Sequence, residues 1–402
     1  MKSDLPHRTK THIARRRLLS AEGTLVASVF SSFFLVSGWS SPAVDIDRAG
    51  RVPAANSATT HRASDEIVVV LTWDGVRWQE ILHGVDEKLA LTAARPHFEG
   101  RSRAALLPHL DQLVNTDGHL LGTEAAPVSA SSPSTLSLPS YSEIFSGRTP
   151  TCGDNDCGQT KAATLVDQWR ASRPNATLAV VSSWWKIPRV AAKDFSSIDV
   201  SAGRLFVRGR KSFCGSVELC TLLDDARHLS PWPGGEEYRP DRATAAIGLA
   251  YLRARRPQFA FIGLGDTDEY AHHGNYAGYL DALHEADKTL GAVHQWLLAQ
   301  QRRGTRTLLI VTADHGRASG FAQHTHTPEA ARVWALVWGS GVTARVSPIT
   351  TKSRLADIAP TIRDFVGLER DTDASAGKSL ASRLFENKLG ARTDPAMANL
   401  SE

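Results

Sequence analysis

The stretch Ile67-Val68-Val69-Val70-Leu71 is a continuous run of branched apolar residues that leads into Thr72-Trp73-Asp74-Gly75. Such a run is typical of a strand that is buried on both faces of a parallel sheet. Similar runs occur at residues 177–181, 259–264, 307–311 and 333–338. Helical patterns lie between the runs or after the last one, at residues 103–115, 158–171, 239–254, 276–302 and 356–366. The alternation predicts an α/β fold with a largely parallel central sheet and helices on both faces.

The composition divides the chain into a leader, a linker, one large domain and a tail. Residues 1–43 combine a basic segment, an apolar stretch and small residues, which is typical of an export signal that is either cleaved or kept as a membrane anchor. We therefore expect an exported protein, periplasmic or secreted. Residues 44–64 predict a linker, 65–390 the main domain and 391–402 a polar tail. The irregular segment 186–238 predicts a small cap or insertion.

The charge of the chain is concentrated at its start. The formal net charge is +4, from 46 basic and 42 acidic residues. Residues 1–42 contain six Lys and Arg residues and two acidic ones, so the remainder is close to neutral. A nucleic-acid-binding domain needs a basic patch on its folded surface, and no such surface is evident. The only predicted membrane contact is an uncleaved export signal.

Four cysteines form two local pairs, Cys152 with Cys157 and Cys214 with Cys220. In an exported protein these pairs favour two disulfides with short loops. One structural zinc site built from four thiolates is the alternative.

Carboxylates and imidazoles follow the ends of three predicted strands. They are Asp74 after the first run, Asp266, Asp268, His272 and His273 after Leu264, and Asp314, His315, His324 and His326 after Val311. Ligands of an open parallel sheet bind at the carboxyl ends of its strands. Carboxylate oxygen and imidazole nitrogen are the ligands of catalytic zinc and similar metals. The sequence therefore predicts a metal site at this edge of the sheet.

Six ordered segments resemble the alkaline phosphatase superfamily, which includes nucleotide pyrophosphatases/phosphodiesterases, sulfatases and cofactor-independent phosphoglycerate mutases. The segments are residues 70–77, 137–141 with 146–150, 268–272, 312–316, 326–329 and 356–362 with 377–380. The resemblance covers about residues 66–385. It implies an alkaline-phosphatase-like fold and two divalent ions, with Zn²⁺ preferred and Mn²⁺ or Mg²⁺ as alternatives.

The resemblance also assigns the site residues. It implies one ion held by Asp268, His272 and His326, and another held by Asp74, Asp314, His315 and the oxygen of Ser137. Ser137 is the implied nucleophile because it stands two residues before a proline, and its rivals are Ser132, Ser134, Thr135 and Ser140. His324 is the alternative to His326.

The implied activity is hydrolysis of a small-molecule phosphate ester through a phosphoryl-serine. The candidate substrate-binding residues are Asn155, Lys186 and Arg189, and each is alternatively an ordinary loop residue. The cationic side chains of Lys186 and Arg189 would neutralise the extra charge of a monoester dianion, which slightly favours monoesters over diesters. Tyr141 occupies the position of an arginine in the sulfatase pattern and so disfavours a sulfatase. A phosphomutase and a non-catalytic metal- or phosphate-ester-binding protein are the further alternatives.

Overall fold

The computed structural model describes residues 66–94, 97, 99–204, 206–208, 213–343 and 352–385. The predicted export signal, linker and polar tail lie outside the described residues. None of the helices in these ranges combines the length and the apolar character of a membrane span.

The core of the fold is a mainly parallel sheet. The strands are β1 (Glu66–Trp73), β2 (His119–Leu121), β3 (Val128–Ser129), β4 (Leu178–Ser182), β5 (Asp199–Ala202), β6 (Phe206–Arg208), β7 (Phe259–Leu264), β8 (Arg306–Thr312), β9 (Arg332–Val333), β10 (Ala335–Gly339) and β11 (Ser353–Arg354). Eight described strands form the main sheet in the order β2–β10–β8–β1–β7–β4–β5–β6, and β11–β3–β9 form a small second sheet. Strands β8, β1, β7, β4 and β5 run parallel, whereas β10 is antiparallel to β8. The predicted α/β class is confirmed.

Helices connect and cover the strands. They are α1 (Trp78–His83), α2 (Glu87–Ala90), α3 (Arg103–Leu106), α4 (Pro108–Asn115), α5 (Ser137–Ser146), α6 (Leu165–Ser172), α7 (Pro188–Ala191), α8 (Val217–His228), α9 (Asp241–Arg255), α10 (Asp266–His272), α11 (Tyr276–Gln301), α12 (Ile358–Val366) and α13 (Ala381–Leu384). Every residue of β1 is buried. Because successive side chains of a strand point to opposite faces, both faces of this strand are covered, as the apolar run predicts.

Two predicted elements are interrupted. The pattern at 103–115 breaks at Leu107, because Pro108 begins a new helix and disfavours a helical conformation in the residue before it. The predicted strand at 333–338 is split at Trp334. Before it, β9 pairs with β3 in the small sheet, and after it β10 pairs with β8 in the main sheet.

The segment 186–238, predicted as a cap or insertion, extends the sheet in part. Strand β5 pairs with β4, and β6 pairs with β5 at the sheet edge. Helix α8 follows, and the end of the segment reaches α10, where the Tyr238 hydroxyl donates to Asp266. The structure joins Cys152 to Cys157 and Cys214 to Cys220 as disulfides, as predicted.

The sheet order explains why distant acidic residues meet. Strand β1 lies between β7 and β8, and Thr72 is paired with both Gly263 and Thr312. All three strands run in the same direction, so their carboxyl ends lie side by side. Asp74, which follows β1, and Asp314, which follows β8, therefore lie at the same edge of the sheet.

Candidate metal centre and nucleophile

Three groups at the ends of β1 and β8 form the first half of the site. Nε2 of His315 lies 3.5 Å from Oδ1 of Asp74 and 3.4 Å from Oδ2 of Asp314. Those two carboxylate oxygens are buried and have no hydrogen-bond partner. Burying a charged oxygen without a partner is costly, and a cation bound to these oxygens would remove that cost. The donor set of two carboxylates and one imidazole therefore fits a divalent metal.

Each of these three side chains is held at its other end. The Tyr141 hydroxyl donates to Oδ2 of Asp74 at 2.9 Å, and the backbone N–H of Gly75 donates to Oδ1 of Asp314 at 3.1 Å. Nδ1 of His315 bonds to the backbone carbonyl of the next residue at 2.9 Å. That bond places the proton on Nδ1 and leaves the lone pair on Nε2. Outer contacts of this kind orient metal ligands in proteins.

The second half of the site comes from α10 and the loop after β8. Asp268 and His272 lie one helical turn apart, with Oδ2 of Asp268 3.0 Å from Nε2 of His272. The same nitrogen lies 3.1 Å from Nε2 of His324. Ligand atoms of Asp268, His315 and His324 lie within 4.8 Å of one another, as do those of Asp74, Asp314 and His315. His315 belongs to both groups, so the two halves are adjacent.

The structure places His324, rather than His326, in this cluster. The His324 side chain is buried, and its ring stacks on that of His315 with centroids 3.9 Å apart. Its Nδ1 bonds to the backbone carbonyl of Thr135 at 2.8 Å, which leaves Nε2 facing the group. His326 is exposed, with a left-handed backbone (φ 54°). Its side chain neither lines the cleft nor joins the ligand groups, so the preferred assignment of His326 does not match the geometry.

Ser137 is the first residue of α5 and lies against the first half of the site. Its Oγ is 3.1 Å from Nε2 of His315. Among the rival hydroxyls, Ser132 and Ser134 bond to each other, and Thr135 donates to backbone carbonyls. Ser137 lines the cleft described below, whereas none of its rivals does. As the first residue of a ten-residue helix it also stands where backbone N–H groups and the helix dipole favour negative charge.

Burial favours the neutral form of every ligand in this site: for the imidazoles this is the form that binds a metal, whereas for the carboxylates a bound cation would have to offset the cost of ionisation. Burial raises the pKa of Asp314 to about 7, and the charge of Asp268 adds to this effect. Burial also raises the pKa of Asp74 well above its ordinary value, and Asp314 adds to the shift. Burial lowers the pKa of His315 and His324 to about 4. Both imidazoles are therefore neutral at pH 7 and able to act as ligands.

Arg317 was not found from the sequence. Burial alone would raise the pKa of Asp268, but Arg317 and His272 hold that pKa well below its usual range. Arg317 is buried, and its guanidinium pairs with Oδ1 of Asp268. Its position three residues after Asp314 is the sequence signal for it, because the contact depends on how the loop after β8 meets α10.

A cleft of about 210 Å³ opens on the site. It is lined by Asp74, Ser137, Asn155, Trp184, Tyr238, Gly265, Asp268, Glu269, His272 and His324. Tyr238 and Glu269 were not identified as site residues from the sequence. Burial and the neighbouring Asp268 raise the pKa of Glu269 to about 7.

The three predicted substrate-binding residues differ in their placement. Asn155 lines the cleft, and its Oδ1 accepts from the backbone N–H of Leu138 at 2.9 Å. Lys186 donates instead to the backbone carbonyl of Asn155 and to Asp156. The Arg189 guanidinium lies over the ring of Trp185, 4.4 Å from its centroid. Neither cation lines the cleft.

Known proteins share this fold and part of the sequence. Residues 239–370 match the family model of the Metalloenzyme superfamily. A phosphopentomutase of Alkaliphilus metalliredigens (strain QYMF) is 32% identical over 139 residues, which are 34% of this chain and 33% of that protein. The wild-type alkaline phosphatase PafA has a similar structure, with a TM-score of 0.53 and 12% identity, covering 80% of this chain and 99% of that chain. The resemblance to the alkaline phosphatase superfamily is confirmed.

The alkaline phosphatase superfamily contains several activities, and the similar proteins differ in theirs. A putative sulfatase, yidJ of Bacteroides fragilis, matches with a TM-score of 0.51 and 12% identity over 83% of this chain and 80% of that chain. The chain spans between 30% and 50% of the length of the curated relatives it matches. Structural likeness at such low identity shows the fold of the superfamily alone, so the reaction must be argued from the site.

Proposed function

We propose that this protein is an exported metal-dependent phosphoric ester hydrolase that forms a phosphoryl intermediate on Ser137. The observation that carries the proposal is the placement of the Ser137 hydroxyl. It stands at a helix N-terminus, 3.1 Å from His315, beside two buried carboxylate oxygens that have no partner. A nucleophile, anion-stabilising backbone and a metal-ligand set thus meet in one cleft.

Seven side chains are the proposed ligands of two divalent ions, with zinc preferred because the donors are nitrogen and oxygen. One group is Asp74, Asp314, His315 and the Ser137 oxygen, and the other is Asp268, His272 and His324. Divalent ions in such a site lower the pKa of nearby hydroxyls and offset negative charge on phosphoryl oxygens.

The chain's own groups support a two-step reaction. The Ser137 hydroxyl loses its proton to solvent and its oxygen attacks phosphorus; the P–O bond to the ester oxygen breaks, and that oxygen takes up a proton and leaves as the alcohol. Water then attacks the phosphoryl-serine, which releases phosphate and restores the hydroxyl. The α5 N-terminus stabilises negative charge on the serine oxygen and on the transferred group.

The proposed substrates are phosphate esters, both monoesters and diesters. The sequence argument for monoesters rests on Lys186 and Arg189, and both have partners away from the cleft. Tyr141 stands where the sulfatase pattern has an arginine, and its hydroxyl donates to Asp74. Export is supported by the leader sequence and by the two disulfides, and periplasmic or culture fractionation of the expressed full chain would test it.

The direct test is turnover of nitrophenyl phosphate, bis-nitrophenyl phosphate and nitrophenyl sulfate by one zinc-loaded preparation. We expect turnover of the phosphate esters, and Ser137→Ala should reduce kcat by about a thousandfold or more. Ser140→Ala is the matched control, because Ser140 lies in the same helix and its Oγ has no hydrogen-bond partner. Full activity of Ser137→Ala would rule out the proposed intermediate.

A phosphomutase is the second candidate, because the curated relatives matched over part of the chain include phosphopentomutases. A mutase would move the phosphoryl group between hydroxyls of a pentose phosphate and release little inorganic phosphate. Measuring the isomer ratio and free phosphate in the same reaction separates the two functions.

A further inference from the structure

Asn155 sits in a small loop that is tied to the nucleophile's helix. The Cys152–Cys157 disulfide closes this loop. Oδ1 of Asn155 accepts the backbone N–H of Leu138, the residue that follows Ser137, at 2.9 Å. Because the amide oxygen takes this bond, the Nδ2 end of the same amide is left to donate to a partner in the cleft. The bond from the Leu138 backbone N–H therefore sets the orientation of the Asn155 amide donor.

Lys186 holds the same loop from the other side. Its ammonium donates to the backbone carbonyl of Asn155 and to Oδ1 of Asp156, both at 2.8 Å. The Lys186 side chain is only 17% exposed, whereas that of Asp156 is 90% exposed. An exposed ion pair contributes little by itself, so the shielded bond to the carbonyl of Asn155 is the more important of the two.

The aromatic residues before Lys186 connect this contact to the cleft. The ammonium lies 5.7 Å from the ring centroid of Trp184, which lines the cleft, and 5.8 Å from that of Trp185. Contacts at this distance between an ammonium and an aromatic face are attractive. Lys186 thus joins the loop after β4 to the loop that carries Asn155.

A further set of bonds fixes the chain just beyond the disulfide. The backbone N–H of Thr160 donates to the carbonyl of Arg189 at 2.8 Å, and the Gln159 side chain donates to the carbonyl of Ala192. Both acceptors belong to α7 or to the residue that ends it. The disulfide loop is therefore held between α5 and the segment that begins at Lys186.

We propose that Lys186 and the Cys152–Cys157 disulfide form a clamp that fixes the Asn155 side-chain amide as a donor for a phosphoryl oxygen beside Ser137. In this arrangement Lys186 is a positioning residue that acts through Asn155, and it does not contact the substrate. The part played by the phosphoryl oxygen rests on the proposed function, but the clamp itself rests on the contacts above.

The clamp matters because small displacements of a donor weaken transition-state stabilisation strongly. A shift of about 1 Å in a positioned group can cost about a hundredfold in rate. Closing a short loop by a disulfide also removes conformational freedom that the loop would otherwise lose on binding. Loosening either arm should therefore lower kcat/KM without unfolding the protein.

The first experiment is a double-mutant cycle on Lys186 and Asn155. We expect Lys186→Met and Asn155→Ala each to lower kcat/KM by about tenfold to a hundredfold. In the Asn155→Ala background, Lys186→Met should cost less than about threefold, because its effect passes through the missing amide. Lys186→Arg should recover most of the activity, and Lys193→Met, an exposed lysine nearby, is the matched control. Additive losses would overturn the proposal, since they would mean that Lys186 acts on the substrate directly.

The second experiment addresses the disulfide. The double variant Cys152→Ser/Cys157→Ser should lower kcat/KM by about tenfold and raise the inhibition constant of inorganic phosphate. Cys214→Ser/Cys220→Ser, which removes the other disulfide, should leave both values close to wild type. Equal effects of the two double variants would contradict a specific clamp.

Calorimetric titration with inorganic phosphate separates this proposal from the proposed function. If zinc-loaded wild type binds phosphate without turning over esters, the hydrolase function fails, and the same variants can still be compared by affinity. Unchanged phosphate affinity in both Lys186→Met and Asn155→Ala would overturn the clamp even in an active enzyme. Circular dichroism melting of each variant shows whether it is folded under assay conditions.

Discussion

The metal-free protein should become more stable when one of its buried carboxylates is removed. The perturbation is Asp314→Asn. The Asn Oδ1 can keep the bond from the Gly75 backbone N–H, and its amino group can donate toward His315, 3.4 Å from the oxygen it replaces. The substitution therefore preserves shape and removes the negative charge.

The pH dependence follows from the direction of the shift. Burial and Asp268 raise the pKa of Asp314 in the folded protein from 3.8 to about 7. The folded state thus binds this proton more tightly than the unfolded state does. The corresponding stability is fully present below about pH 4 and is lost as the pH rises to about 7. A shift of about three pKa units corresponds to about 4 kcal/mol.

The assay is urea unfolding in a chelator at pH 5 and pH 8. At pH 8 we expect Asp314→Asn to exceed wild type by up to about 4 kcal/mol in the free energy of unfolding, with a smaller difference at pH 5. Zinc should then stabilise wild type far more than the variant. Asp225→Asn, on the exposed surface of α8, is the control. A variant that is less stable than wild type at pH 8 without metal would refute this reasoning.

Further predictions concern the second half of the site. In metal-free protein Arg317→Met leaves Asp268 buried without its cation, and urea titration in a chelator should show a loss of about 3 kcal/mol in the free energy of unfolding. Equal stability of this variant and wild type would contradict the buried pair. His324→Ala should lower the bound zinc measured by elemental analysis from two ions per chain toward one, whereas His326→Ala should keep both. The reverse result would restore His326 as the ligand.

The sequence predicted the features that depend on regular structure. The apolar runs located β1, β4, β7 and β8 to within a residue or two at each end. Because parallel strands present their carboxyl ends at one edge, Asp74 and Asp314 could be placed together without coordinates. Asp268 follows β7 and could be placed at the same edge for the same reason.

The sequence could not predict contacts made by irregular segments. Choosing between His324 and His326 requires the conformation of a loop that has no periodic pattern, and only the contacts of the folded loop bring His324 to the cluster. Lys186 follows β4 as expected, but its target is set by the disulfide loop, which lies about 30 residues earlier in the chain. The pairing of Arg317 with Asp268 likewise exists only once the loop after β8 reaches α10.

The most direct test of the account is to locate the phosphoryl group on the enzyme. Zinc-loaded protein would be mixed with a phosphate ester, quenched in acid within the first turnovers, digested and mapped by mass spectrometry. We predict a phosphoryl group on Ser137, lost in Ser137→Ala and retained in Ser140→Ala. Phosphorylation of another residue in an active preparation, or turnover that continues undiminished in Ser137→Ala, would contradict the account.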